Sequence, residues 1–516
     1  MGVDRRQFLA NAAKATAGIK LLPEFLGSAQ QNAQPSSGSA QKPYGSGYFG
    51  TWIEDEFGLP AFHYTCDQVN DPKAKTEVNP GILASTEHIH QVGNDRIVAV
   101  ASNYGHVRVR QDEGAPKFLN DHAPERGIFS GGFGYLADGK SVLSTFYPGN
   151  AKPENFDRIF GIGYFRKKLR GGNYEIDQLI FAPFGDDPVL ISQVKITNNG
   201  STESQLRWTE YWGCQLYQFS FRSFMEASSG KSMHDLRREF GARFEHSFKK
   251  LSDGSGLLEK KQFVGRNPAE EKEFARVVAS LENSQNPFLA VPDKNAPKLA
   301  SFDDLNPPPT FLLSLDAPGD GFSANSKGFF GSGGVEHPNG ASQELDGDLD
   351  QSGPESALLL ERKFSLRPGE SRTLTFLYGY LPSGFDLDSL ATKYRNSAQS
   401  ALGDSVKQWK QSGIHFATDS EPWVEREATW SHYYLRSGLT YDDLFHHHLV
   451  AGQHLSVCDG ISGRGARSAS ACAAVRVQQS RNRSRHSALH LEGSSFGWLN
   501  SLWHCRPRHA DAGDLR

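Results

Sequence analysis

The stretch Arg207–Cys214, "RWTEYWGC", holds the residues best suited to contacting a ligand. At a period of two, Trp208, Glu210 and Trp212 fall on one face of a strand and Tyr211 on the other. Two indoles flanking a carboxylate suit a sugar, whose C–H faces stack on aromatic rings and whose hydroxyls need a hydrogen-bonding partner. The commoner reading of the same alternation is core packing between two sheets, and both stay open at this point.

Other chemistry-bearing residues point less far. His446, His447 and His448 read as part of a helix, where consecutive side chains project about 100° apart and cannot share one metal ion. The acidic run Glu54, Asp55 and Glu56 could hold a general acid, or simply charge at a strand end. "SKGFFGSGGVEHPNGA" lacks the glycine spacing of a phosphate-binding loop, so it is expected to be a loop shaped by glycine freedom. There is no G-x-S-x-G elbow and no CxxC pair among the five cysteines, so neither a metal site nor a catalytic residue is assigned.

The elements that would position these residues are mostly strands. "DRIVAVASNYGHVRVRQDEG" alternates, with Val107 and Val109 facing one way and Arg108 and Arg110 the other. The residues from Tyr174 to Leu216 read as three strands with turns at Gly185–Pro188 and Asn198–Ser201, and those from Ala357 to Leu381 as two strands meeting at Pro368–Gly369. "MHDLRREFGARFEHSFKKL" reads as a helical or mixed insertion. Past Asp386 the period becomes helical, with Leu390, Tyr394, Ala398 and Ala401 on one face. A second helical pattern carries Trp423, Trp430 and Tyr434, with Ser420 as its N-cap.

The totals agree with a globular β-rich protein. In 516 residues, 37% are hydrophobic and 22% charged, and the 52 glycines and 34 phenylalanines favour turns and aromatic strands over helical bundles. A net charge of −4 gives no whole-chain reason to expect a nucleic acid as partner. At the N-terminus, Arg5 and Arg6 precede a mildly apolar segment interrupted by Lys14 and Lys20, then a Gln/Ser/Ala/Gly-rich linker. This resembles a twin-arginine export signal, which implies the twin-arginine translocase as a transient partner and a periplasmic or extracellular location.

Taken in order, three landmarks resemble glycoside hydrolase family 94, which includes cellobiose phosphorylase and cyclic β-1,2-glucan synthase. They are "FGIGYFRKKLRGGNYEIDQLIFAPFGDDPVLISQVKITNNG", "FFGSGG" followed by "HPNGA", and "ALLLERKFSLRPGESRTLTFLYG". The resemblance implies a mainly β fold: a galactose-mutarotase-like antiparallel β-supersandwich, then linker helices and the start of an (α/α)6 toroid. It further implies an oligosaccharide or β-glucan as ligand and inverting phosphorolysis or hydrolysis by a carboxylic acid in the toroid. Inorganic phosphate would be a co-substrate of the intact family, and no other cofactor is implied. A homodimer is kept open.

The expected divisions are 1–43 for signal and linker, 44–383 for the sandwich, 384–449 for the linker helix and first toroid helix, and 450–516 for a tail. The tail departs from the rest, since Gly463–Leu491 holds six arginines and no acidic residue. Back-translated and read one base later, it permits helix-like strings including "RDPLQH", similar to a sugar-binding stretch of the toroid. The expectation is therefore an out-of-frame, disordered tail beginning near Leu449, and no catalysis by this chain. Two alternatives remain, a stand-alone carbohydrate-binding sandwich and a mutarotase-like enzyme with its site inside the sandwich.

Overall fold

Strand β12 (Tyr174–Phe181) shows how the sequence builds the main sheet. Tyr174, Ile176, Gln178 and Ile180 are buried, while Glu175, Asp177 and Leu179 between them stay partly accessible. One face therefore enters a core and the other meets solvent or a helix. The tight turns either side, at Gly172 (φ 55°) and through Gly185 (φ 117°), need the left-handed backbone that glycine supplies without a Cβ clash.

The computed structural model describes residues 46–47, 50–64, 88–111, 117–147, 156–214, 244–262, 308–349, 356–382, 384–413, 421–442 and 447–450. The chain divides into two units, Met1–Lys42 and Pro43–Arg516, and every described residue belongs to the second. The export-signal residues Arg5 and Arg6, Ser420, His446 and residues 451–516 lie outside the described residues.

Eleven antiparallel strands form a long sheet. In spatial order they are β1 (Ser46–Gly47), β2 (Gly50–Glu54), β3 (Pro60–Tyr64), β10 (Phe156–Gly161), β11 (Tyr164–Gly171), β12, β13 (Val189–Asn198), β20 (Ser371–Tyr380), β17 (Thr310–Ser314), β16 (Gly256–Gln262) and β15 (Phe244–Lys250). A shorter sheet packs against it, in the order β18 (Gly321–Ser323), β19 (Ser356–Leu366), β14 (Ser204–Cys214), β8 (Gly131–Ala137) and β9 (Val142–Ser144). A third sheet, β4 (Ile89–Gly93), β5 (Val98–Ser102), β6 (Val107–Gln111) and β7 (Lys117–Phe118), adds Val92, Ala99, Val107 and Val109 to the same core.

The core between the sheets is aromatic and aliphatic. Ile176, Leu190, Val194, Leu374 and Tyr378 from the long sheet meet Trp208, Trp212, Leu358 and Leu360 from the short one. Trp212 stacks on Tyr378 with ring centroids 4.2 Å apart. Opposite Trp208 the short sheet needs a residue without a side chain: a Cβ on Gly134 would lie 2.2 Å from the indole.

Both outer faces are covered, at least in part, by the chain itself. Helix α2 (Leu387–Ser412), capped by the Asp386 carboxylate accepting from the Asp388 and Ser389 amides, lays Leu390, Tyr394, Leu402, Val406 and Trp409 on the long sheet. There it buries Tyr164, Phe181, Val189, Ile191, Leu313 and Leu377. Each such side chain taken from water contributes about 1.5–3 kcal/mol. Over the short sheet, helix α1 (Ser326–Phe330) and the turn Asn339–Ser342 bring Phe329, Phe330 and Ala341 onto Phe133, Tyr135 and Tyr211. The glycine-rich segment is thus a lid on an aromatic sheet face, pinned by the Tyr135 hydroxyl donating to the Val335 carbonyl at 2.6 Å.

The sequence reading is corrected in three places. Phe244–Lys250, assigned to a helical or mixed insertion, is strand β15. Helix α3 (Pro422–Arg436) starts from Glu421 with Pro422 at its first position and no side-chain cap. After α3 the chain turns into a hairpin of β21 (Leu439–Asp442) and β22 (His447–Val450), so His447 and His448 sit on a strand rather than a helix. The strand reading of 174–214 and of 357–380, and the face shared by Leu390, Tyr394, Ala398 and Ala401, match the structure.

Candidate functional site

Trp208, Glu210 and Trp212 do share one face of β14, with Tyr211 on the opposite face against Phe133 and Phe330. Their common face is the inner one. All three are fully buried, which favours the core-packing reading of this alternation over contact with a sugar.

The three are tied to one another instead. The Glu210 carboxylate accepts from the Trp208 indole at 2.9 Å through Oε2 and from the Trp212 indole at 3.0 Å through Oε1. A carboxylate held by two N–H donors satisfies both indoles, which a dry core otherwise leaves costly. From the long sheet, Gln178 reaches Glu210 at 3.5 Å and donates to Ser192 at 3.1 Å, while the Thr145 hydroxyl donates to Gln178 at 2.6 Å. Lys167 on β11, also fully buried, donates to the carbonyls of Gly105 at 2.8 Å and Gly132 at 2.6 Å.

Burial pushes Glu210 well above the usual carboxylate range and Lys167 well below the usual lysine range, and the attraction between the two charges opposes both shifts. The arrangement can hold a proton in the middle of the sandwich and fix the two sheets in register. The sequence shows the alternation of β14 but not Lys167, Gln178 or Thr145, which come from other parts of the chain and carry no local signal.

The acidic run at 54–56 is also structural. Asp55 accepts from the Phe57 and Leu59 amides at 3.0 and 2.9 Å and from the Tyr164 hydroxyl at 3.0 Å, and Glu56 pairs with Arg166 at 3.0 Å. Burial raises Asp55, but its lone pairs are spent on closing the turn from β2 to β3.

Three histidine groupings escaped the sequence reading. His106 and His122 stack with centroids 3.5 Å apart, and the Nδ1 atoms of both lie 3.2–3.3 Å from the Ser130 hydroxyl. Both Nδ1 atoms are thus engaged with one hydroxyl. His246 contacts the Ser356 hydroxyl at 2.7 Å and lies opposite the buried Lys260, on the cross-strand row that continues to Thr310. His90 lies where α3 meets the sandwich. Among the described residues no three His, Cys, Asp or Glu side chains gather as a metal-ligand set, and no helix is long and apolar enough to cross a membrane.

The α3 seam joins elements some 340 positions apart. The Tyr433 hydroxyl donates to the Gln91 carbonyl at 3.0 Å and accepts from the Gly93 amide at 3.2 Å. The Gln91 side chain donates to the Tyr434 carbonyl at 3.0 Å, and Arg436 pairs with Asp95 at 3.4 Å. Beside it a narrow crevice is lined by Leu59, Ile162, Trp409, Thr429, His432 and Tyr433.

No protein-family profile matches the sequence, and no curated protein matches it either. Among solved structures, similarity is found to a protein described as a kojibiose phosphorylase from the human microbiome, with 8% identity and a TM-score of 0.39 over 76% of this chain and 43% of that one. A polysaccharide lyase gives 12% identity and a TM-score of 0.27 over 57% of this chain and 32% of the other. A protein described as an aldose 1-epimerase from Escherichia coli K12 gives 8% identity and 0.23 over 57% and 100%. This chain thus spans less than half the length of the first two. Identities and overlaps of this size assign neither a family nor an activity to it.

Proposed function

We propose that the chain belongs to an exported carbohydrate-active protein of the glycoside hydrolase family 94 type, acting on β-glucans or related oligosaccharides, and that its sandwich serves as a platform for helical elements. The seam between α3 and the β4 edge supports the platform role. Two tyrosines, a buried histidine and a buried glutamine fix the helix in one register on the strands. Supporting the carbohydrate reading is the order of the three sequence landmarks, which fall on β10–β13, on the lid over the short sheet and on β19–β20.

The platform role disfavours chemistry inside the sandwich, because Glu210, a carboxylate flanked by two indoles, is walled in by them. Calorimetric titration of the 516-residue chain with cello-, laminari- and β-1,2-gluco-oligosaccharides is expected to give weak binding, with dissociation constants on the order of millimolar, and no turnover. Trp212→Phe should leave that binding unchanged. Silence toward the whole panel would remove the carbohydrate reading, and turnover by the chain would replace the platform with an enzyme site in the sandwich.

Export through the twin-arginine route is part of the same proposal and rests on Arg5 and Arg6. Replacing both by lysine is expected to keep the protein in the cytoplasmic fraction of an expressing bacterium. Equal periplasmic yield of the variant and the parent would count decisively against that route.

A further inference from the structure

His90 sits at the centre of the α3 seam and is fully buried. Its ring lies between Phe160 of β10 and Trp430 of α3, each with a centroid 5.2 Å away and interplanar angles of 16° and 30°. Tyr433 and Tyr434 close the box at 6.3 and 5.7 Å. The two ring nitrogens have different partners. Nε2 is 2.8 Å from the Gly161 carbonyl, which can only accept, so Nε2 carries the hydrogen. Nδ1 is then the acceptor for the Tyr434 hydroxyl at 3.0 Å, whose oxygen also accepts from the Gln91 amide at 3.3 Å.

This pattern fits one protonation state. A proton on Nδ1 would turn the acceptor into a donor facing a hydroxyl that already donates to it, and would place a cation between aromatic rings, its two nitrogens facing a hydroxyl and a carbonyl. The charged and titratable groups on and beside the surrounding elements include His88 just before β4, Asp157 and Arg158 on β10, Tyr164 and Arg166 on β11, Glu54 on β2, and Glu425, Arg426, Glu427, His432 and Arg436 on α3. His88 bonds Tyr64, Arg158 bonds the Asn103 carbonyl and lies over Tyr64 and Tyr147, and Tyr164 bonds Asp55. Arg426 bonds Glu427 and lies over Trp52, and Arg436 pairs with Asp95.

We propose that His90 is an acid-sensitive latch: its neutral form holds α3 on the sandwich, and its protonation releases the helix while the strands stay folded. Burial, offset in part by the Gly161 bond, pulls the imidazole down from 6.5 to about 4 in the docked state. A histidine whose docked value is depressed favours docking fully above the free value. It loses that contribution as pH falls from about 6.5 to about 4, and nothing further is lost below. A released helix of 15 residues has little helical stability of its own, so its amides become exchangeable.

Hydrogen exchange of the full-length protein, corrected for intrinsic rates, reads this directly. Between pH 7 and pH 4 the protection of amides 422–437 is expected to fall on the order of a hundred-fold, and that of β12 and β13 by less than tenfold. His90→Phe, which keeps the stacking and removes the titration, should flatten the profile of the helix. Tyr434→Phe removes the hydroxyl that opposes the proton, so the docked value moves back toward 6.5 and the fall in helix protection between pH 7 and pH 4 should shrink. Loss of protection by helix and strands together, or an undiminished fall in His90→Phe, would overturn the latch. Should His90→Phe fail to fold, an undiminished fall in Tyr434→Phe overturns it instead.

Discussion

Replacing Glu210 with alanine is expected to cost about 3–5 kcal/mol in denaturant unfolding, a large share of the stability of an ordinary domain. The carboxylate bonds the Trp208 and Trp212 indoles at 2.9 and 3.0 Å, and its charge is the one that opposes the desolvation of Lys167. Alanine leaves two buried N–H donors and a buried amine without it, and opens a cavity between the sheets. Glu210→Gln should cost less, about 1–2 kcal/mol, because an amide oxygen still serves one indole. The double replacement Glu210→Leu with Lys167→Met should recover only part of the loss, since it strands no charge but still leaves both indole N–H groups and the Gly105 and Gly132 carbonyls without these partners. If Glu210→Ala instead kept full stability and abolished glycan binding, the carboxylate would be a ligand group after all and the buried arrangement would be wrong.

Ending the chain after Pro382 is the other change with a large expected effect. It removes α2 and bares Tyr164, Phe181, Val189, Ile191, Leu313 and Leu377 on the long sheet. At about 1.5–3 kcal/mol for each of these side chains, the loss is of the same order as the stability of a whole domain. The exposed strip is also wide enough to drive association. The shortened chain should be insoluble, or soluble only as an aggregate that binds a hydrophobic dye. A monomeric product with unchanged melting temperature would show that α2 is dispensable. The helix that follows the last sandwich strand is on this account one layer of the sandwich and not a spacer between two bodies.

Much of the β architecture is legible in the sequence because period two and turn chemistry are local. The turns at Gly185–Pro188 and Asn198–Ser201 separate β12, β13 and β14 where the residues predict, and Pro368–Gly369 separates β19 from β20. The shared face of Trp208, Glu210 and Trp212 is legible for the same reason. Its direction is not, since alternation looks the same whether a face meets solvent, a ligand or another sheet. Which of these holds depends on the opposing long sheet, where Tyr378 of β20, more than 160 positions later, stacks on Trp212.

Strand β15 was hidden because its residues follow a charged run with helical spacing, and pairing with β16 outweighs that local preference. His90 is a lone histidine in an unremarkable strand, and only the return of the chain with Trp430 and Tyr434 gives it a role.

The ladder between β14 and β19 joins residues about 140 to 160 positions apart, from Cys214 with Ser356 to Ser204 with Leu366. A ribosome adding roughly 5–20 residues per second leaves β14 without that neighbour for on the order of ten to thirty seconds. During this time Trp208 and Trp212 have no Leu358 or Leu360 to lie against, and the free edge of the strand can pair with another nascent chain. Pairing over such a separation is expected to be slow, so yield should rise when translation is slowed only if this free strand edge is protected meanwhile.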